Sequence, residues 1–165
     1  MTDHDLRAAA ARVLECCRAR RLKIATAESC TGGLVAAWLT DIPGSSDVVD
    51  RGFVTYSNDS KRAMLDVRSE VLDEHGAVSR PTAEAMARGA LAHSLADLSV
   101  AITGVAGPGG GSLDKPVGLV HFAAAARDGR LMHAEQRYGD IGRTEIRRLS
   151  VLEALALLER LADES

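Results

Sequence analysis

The residue types able to do covalent chemistry gather in one stretch, Thr26-Ala27-Glu28-Ser29-Cys30-Thr31-Gly32-Gly33. Hydroxyls, a thiol and a carboxylate stand there beside two glycines, which let the backbone approach a ligand closely. An apolar run, Leu22 to Ala25, leads in, and an amphipathic helical pattern, Leu34 to Leu39, leads out. That order predicts a strand-to-helix turn. First-turn helix amides lack intrahelical acceptors, and with the helix dipole they favour negative charge, so a nucleophile in this turn would have an oxyanion site at hand. Ser29 is one candidate nucleophile and Cys30 the rival, since a thiol at a helix N-terminus gains thiolate character. The same residues also suit a plain tight turn with Thr31 or Ser29 as N-cap. Glu28 reads either as an orienting carboxylate or as a surface turn residue.

A second group, Tyr56 and Lys61, follows the next expected strand. In an α/β sheet, ligands bind in the crevice outside the strand ends. If the two strands are neighbours, Lys61 reaches Ser29. A desolvated lysine loses its proton more readily, and a neutral amine can take the proton of a serine hydroxyl. Tyr56 would relay that proton or hold the lysine. Taken alone, the pair also reads as a half-buried strand aromatic and a solvated helix lysine.

Other chemistries find less support. Gly104-Val105-Ala106-Gly107-Pro108-Gly109 is spaced G-x-x-G-x-G, which is not the dinucleotide fingerprint, and no Walker A pattern occurs. Its amides could cradle a phosphate, or the loop could simply be flexible. Tyr56 and Lys61 are one residue too far apart for the Tyr-x-x-x-Lys pair of short-chain dehydrogenases. His4, His75, His93, His121 and His133 show no ligand spacing, so no metal is expected. The three cysteines, Cys16, Cys17 and Cys30, form neither a disulfide framework nor a zinc pattern, which fits a reducing cytoplasm. A net charge of −3 with one Trp, two Tyr and two Phe gives neither a polyanion footprint nor stacking platforms, so no nucleic acid partner is expected. The acidic N-terminus is no signal peptide, and no apolar run is long enough for a bilayer, so no membrane association is expected.

The elements that must position these groups follow from periodicity and breakers. Helices are predicted over Asp3 to Arg20, Leu34 to about Thr40, Lys61 to Leu65, Ser69 to Gly76, Ser79 to Leu95 and Arg143 to Leu161. Strands are predicted over Lys23 to Ala27, Val48 to Tyr56, Leu98 to Thr103, Val117 to Ala126 and Leu131 to Tyr138, the last two joined at Asp128-Gly129. Helices alternating with buried strands, then a hairpin, imply one α/β domain over residues 1–165: a three-layer α/β/α sandwich with a mixed sheet.

The stretch from Thr26 to Gly33 resembles the leading motif of the CinA C-terminal domain family, the nicotinamide-nucleotide amidases. The likeness continues through Ile42-Pro43-Gly44-Ser45-Ser46, Arg51 to Asn58 with Lys61, and His75-Gly76-Ala77-Val78-Ser79. It extends to Thr103-Gly104-Val105-Ala106-Gly107-Pro108 with Gly110-Gly111, and to Lys115-Pro116-Val117-Gly118, in order and at similar spacing over nearly the whole chain. Stand-alone members are about this length, while longer ones carry an extra N-terminal domain. The resemblance implies hydrolysis of the carboxamide of nicotinamide mononucleotide without metal or cofactor, by a serine–lysine pair. Those roles fall on Ser29 and Lys61 with Tyr56 close by, and amides around Thr31, Gly32 and Gly33 would hold the oxyanion. Phosphate partners are expected first in the loop carrying Thr103, Gly104 and Gly107, then in Arg143 or Arg147. There the family's Gly-Asp-Arg is replaced by Gly139-Asp140-Ile141-Gly142-Arg143, an apparent two-residue insertion, and Arg147 or Arg148 would match the following arginine. An acidic residue common at position 109 is here Gly109. A homo-oligomer, a dimer, is expected. A non-catalytic nucleotide-binding module, or an amidase for a different amide, is the alternative.

Overall fold

The computed structural model describes residues 1–165 and contains five strands and six α-helices. In chain order these are α1 (Asp3–Ala19), β1 (Ile24–Glu28), α2 (Leu34–Thr40), β2 (Val49–Val54), α3 (Asn58–Leu65), α4 (Ser69–His75) and α5 (Arg80–Ala92). Then follow β3 (Leu98–Gly104), β4 (Leu119–Ala126), β5 (Leu131–Arg137) and α6 (Arg143–Asp163). The predicted elements are all present, with ends displaced by a few residues. Local chemistry explains several starts: Thr2 and Asp5 close a capping box on α1, and Ser57 and Ser79 cap α3 and α5.

The sheet order is β2-β1-β3-β4-β5. β1 pairs in parallel with β2 and β3, while β3-β4 and β4-β5 are antiparallel, so the sheet is mixed. Alternation along the strands separates two cores. Ile24, Val100, Ile102, Val120 and Phe122 face α1, α2 and α6 in the larger core. Ala25, Ala27, Ala101, Ala123 and Ala125 face α5, which brings Ala83, Ala87 and Ala90 of its own. Small residues on both sides let α5 lie close to the sheet. This is the three-layer α/β/α arrangement that the alternating pattern predicts.

α3 is pressed onto α5 in turn. A Cβ at Gly89 would lie 2.0 Å from the Leu65 carbonyl oxygen, so α5 needs glycine where the end of α3 crosses it. No helix is long and apolar enough to cross a membrane.

Candidate active site

β1 and β2 run side by side in parallel, so both turns at their C-terminal ends open on the same edge of the sheet. The Ser29 amide donates to Ile102 of β3 at 2.9 Å, and the Thr55 amide donates to Glu28 of β1 at 2.9 Å. The backbone beyond each strand is thereby still held in the ladder. From α3, Lys61 reaches back beneath this edge. Its Nζ lies 2.9 Å from Ser29 Oγ, 3.0 Å from the Thr55 carbonyl oxygen and 3.3 Å from that of Tyr56. Lys61 is 1% exposed and has no carboxylate partner. Burial pulls its amine below the ordinary lysine value, with the Cys30 thiol pulling weakly the other way.

The same physics acts on Cys30, the other candidate nucleophile. Cys30 is 6% exposed, and burial pushes its thiol up to about 12, so it stays protonated and packs against the larger core.

Glu28 does neither of the things its sequence setting suggests. It is buried, and its Oε1 and Oε2 accept the amides of Val35 and Ala36 at 2.9 and 3.1 Å. α2 begins after Gly33, whose φ of 100° is left-handed and which has no side chain to cap with. Neither Thr31 nor Ser29 is the N-cap, and the Thr31 hydroxyl is buried without a partner. The carboxylate from β1 fills the cap position instead. Amides in the first turn of α2 are therefore already committed, since Leu34 also bonds Thr31. The Gly32 amide is spent on the Ser29 carbonyl at 3.0 Å. Cys30, Thr31 and Gly33 retain amides with no acceptor in the protein.

A cavity of about 200 Å³ opens over this pair, lined by Ser29, Cys30, Tyr56, Lys61, Thr103, Gly104 and Arg143. Ala77, Val78 and Ala106 complete the wall. The only signal for Ala77 and Val78 is the short motif after Gly76; an alanine and a valine carry no chemistry of their own. Thr103 donates its hydroxyl to the Ala77 carbonyl at 2.7 Å, tying β3 to the segment before α5. No carboxylate or imidazole lines the cavity, so Lys61 is the base within reach of Ser29. A larger depression of about 540 Å³ lies between α1 and α2 beside Trp38, and it holds no nucleophile–base pair.

At the mouth, Tyr56 is 61% exposed and its phenol oxygen accepts from Arg143 Nη2 at 2.9 Å. Arg143 Nη1 donates to the Gly107 carbonyl at 2.8 Å, so one guanidinium joins the start of α6 to the β2–α3 turn and the glycine loop. Tyr56 thus holds Lys61 through its carbonyl while its phenol faces Arg143. Arg147, one turn further along α6, donates to the carbonyls of Cys30 and Thr31, both at 3.1 Å. Arg148 pairs with Asp3 of α1 at 2.7 Å. Thr31, Gly32 and Gly33 do not line the cavity.

The profile of the CinA C-terminal domain matches residues 6–162. The chain belongs to this family. A relative from Escherichia coli strain K12, "Nicotinamide-nucleotide amidohydrolase PncC", is 49% identical over 159 residues, which cover 96% of this chain and 95% of that protein. A "CinA-like protein" of Synechococcus is 55% identical over 147 residues, 88% of this chain but 35% of its own length. A "Putative competence-damage inducible protein" of Caldicellulosiruptor bescii is 56% identical over 109 residues, 66% of this chain and 26% of its own length. The chain thus spans about a quarter to a third of the longer curated relatives it matches. Among solved structures, "competence/damage inducible protein CihA from Agrobacterium tumefaciens" superposes with a TM-score of 0.94 at 58% identity, covering 95% of each chain. The CinA C-terminal fold is the one described above.

Proposed function

We propose that this chain hydrolyses the carboxamide of nicotinamide mononucleotide to nicotinic acid mononucleotide and ammonia, with Ser29 as nucleophile and Lys61 as its base. The observation that carries the reading is the 2.9 Å contact between Lys61 Nζ and Ser29 Oγ, made by a buried amine with no counter-ion. Unpaired buried charge is costly, so the neutral amine is favoured. A neutral amine has two N–H bonds and one lone pair. The carbonyls of Thr55 and Tyr56 take the two N–H bonds, and the lone pair is left for the Ser29 proton.

Attack forms the bond from Oγ to the carboxamide carbon as the hydroxyl proton moves to Lys61. Collapse breaks the C–N bond, and the leaving nitrogen takes that proton and departs as ammonia. Water then cleaves the acyl-serine with Lys61 again accepting a proton, which returns to Ser29 Oγ as the carboxylate leaves. The donor nearest the developing oxyanion is the Cys30 amide, next to the nucleophile and lacking an acceptor.

The substrate follows from the cavity and from the near full-length likeness to the PncC amidohydrolase. At about 200 Å³ the cavity is smaller than the roughly 300–1,000 Å³ usual for whole-ligand pockets. It takes the nicotinamide end, and the ribose phosphate lies across the mouth. Arg143 is the phosphate ligand there: its present acceptors, a carbonyl and a phenol, are neutral, and a phosphate displaces them with charge-assisted bonds. The reaction is assigned to the cytoplasm, a reducing compartment that suits the three unpaired cysteines. The protein acts as a dimer, which light scattering checks.

The test is ammonia release from nicotinamide mononucleotide by wild type, Ser29→Ala and Lys61→Ala. Ser29→Ala is expected to lose at least about 10³-fold in kcat, and Lys61→Ala about 10²–10⁴-fold. Full turnover by folded Ser29→Ala overturns the mechanism. A folded wild type that binds the nucleotide without releasing ammonia is a binding module instead.

A further inference from the structure

Arg147 is the residue whose surroundings disagree most with its place in the sequence. It follows Arg143 by one helical turn and so shares a face with it, yet its donors are turned to main chain. We propose that Arg147 is a positioning residue for the nucleophile turn, holding the carbonyls of Cys30 and Thr31 so that the Cys30 amide stays aimed at the substrate's carbonyl oxygen. This rests on the reading of Ser29 as nucleophile.

The argument is one of peptide planes. In a trans peptide the C=O and N–H point in opposite directions, so fixing one fixes the other. The Ser29–Cys30 plane is set by the Gly32 amide, which donates to the Ser29 carbonyl at 3.0 Å and so points the Cys30 N–H away from Gly32. The next two planes, Cys30–Thr31 and Thr31–Gly32, carry the carbonyls that Arg147 grips from α6. Three successive planes of the turn are thus each held at a carbonyl, that of Thr31 by the Leu34 amide as well as by Arg147, and the Gly32 amide that bonds Ser29 lies in the plane whose carbonyl is Thr31's. On the other flank Glu28 absorbs the Val35 and Ala36 amides, and of the three amides left without an acceptor only that of Cys30 belongs to a residue lining the cavity beside Ser29.

Arg147 also has no carboxylate partner, and its charge, felt at Cys30, favours negative charge in the turn. Gly32 fits the same purpose: a Cβ there would lie 3.3 Å from Arg147 Nη2, and its φ of 58° is left-handed. A rigid fork bridging two carbonyls is a task for arginine, which lysine, a single point charge, performs in part.

The experiment compares Arg147→Lys and Arg147→Ala with wild type. Ammonia release is followed from nicotinamide mononucleotide and from its unphosphorylated riboside. Acetylation of Ser29 by p-nitrophenyl acetate is followed in parallel, by nitrophenolate release and intact mass. Both variants are expected to lose about 10²-fold in kcat, with Lys less impaired than Ala, the usual cost of losing one oxyanion donor. KM for the mononucleotide should change by less than about threefold, the preference over the riboside should persist, and ester acylation should slow by a similar factor. Should Ala fail to fold, Lys alone decides. A KM raised tenfold or more with kcat retained, or a loss confined to the phosphorylated substrate, makes Arg147 a phosphate ligand and overturns the proposal. Unchanged ester acylation also overturns it. Wild type inert to the mononucleotide but acetylated on Ser29, with the variants slow, sinks the substrate assignment and leaves the positioning role standing. Wild type inert to both sinks the two together.

Discussion

Lys61 links the proposed chemistry to stability, because its amine is buried beside Ser29 without a counter-ion. Its amine is held below the ordinary lysine value of 10.5 by burial, so the folded protein binds fewer protons than the unfolded chain between the two values. Stability therefore rises with pH across that window, and below it the fold carries a protonated amine with no counter-ion. Two measurements read this. The rate kcat/KM should fall as pH drops through the lowered value, because a protonated Lys61 cannot accept the Ser29 proton, and the fall should mirror the titration of a single group. In denaturant titrations, the stability of Lys61→Met relative to wild type should be most favourable at low pH and decline as pH rises towards 10.5. A difference independent of pH would mean that Lys61 titrates normally. Burial acts alike on Cys30 and Lys61 and favours the neutral form of each, which for an amine is the base and for a thiol is the inert acid.

Among the elements, α3 has the tightest tolerance, since it must place one amine within hydrogen-bond distance of one hydroxyl. Its N-terminus is set by the Ser57 cap and its C-terminus by the crossing with α5 at Gly89. Gly89→Ala pits two effects against each other. Alanine in a helix interior gains about 1 kcal/mol over glycine. The new Cβ, however, would stand 2.0 Å from the backbone oxygen of Leu65, and relieving such overpacking typically costs about 1–3 kcal/mol. The clash is with main chain, which cannot swing aside, so the variant should be destabilised by roughly 1 kcal/mol net. Its kcat should fall as well, because α3 is displaced with Lys61 on it. A melting temperature equal to wild type with full activity would show that α3 does not bear on α5 as described.

On the scale of the whole molecule, the site is a meeting of distant segments at one sheet edge. The turn after β1 supplies Ser29, the β2–α3 turn supplies Tyr56, α3 supplies Lys61, β3 supplies Thr103 and Gly104, and α6 closes the mouth with Arg143. Ligand that binds only the folded state stabilises it by mass action, about 2.7 kcal/mol at 100 times Kd. Nicotinamide mononucleotide should therefore raise the melting temperature of the inactive Ser29→Ala protein. If Arg143 is the phosphate ligand, the shift should largely vanish when Arg143→Ala is added. An undiminished shift would assign the phosphate elsewhere.

Much of this is legible in the sequence, for physical reasons that are local. Apolar periodicity, caps such as Ser57 and Ser79, and breakers such as Gly76 act over a few residues, so the elements and the layered α/β class follow from them. Ser29, Tyr56 and Lys61 could be singled out as residues just past strand ends, but their immediate setting suits a plain turn and a solvated lysine equally, and only the family resemblance joins them as a site. Whether they meet depends on β1 and β2 being parallel neighbours, and that is set by the packing of both sheet faces. The partners of Glu28, Arg143 and Arg147 are set only by the tertiary structure. Glu28 turned out to cap α2 because a glycine stands where a capping side chain would be. The two arginines reach partners 36 to 117 residues away, on segments that only the packing of α6 brings near. A local pattern records which face of a helix is polar; the acceptor that each guanidinium finds is chosen by the assembled fold.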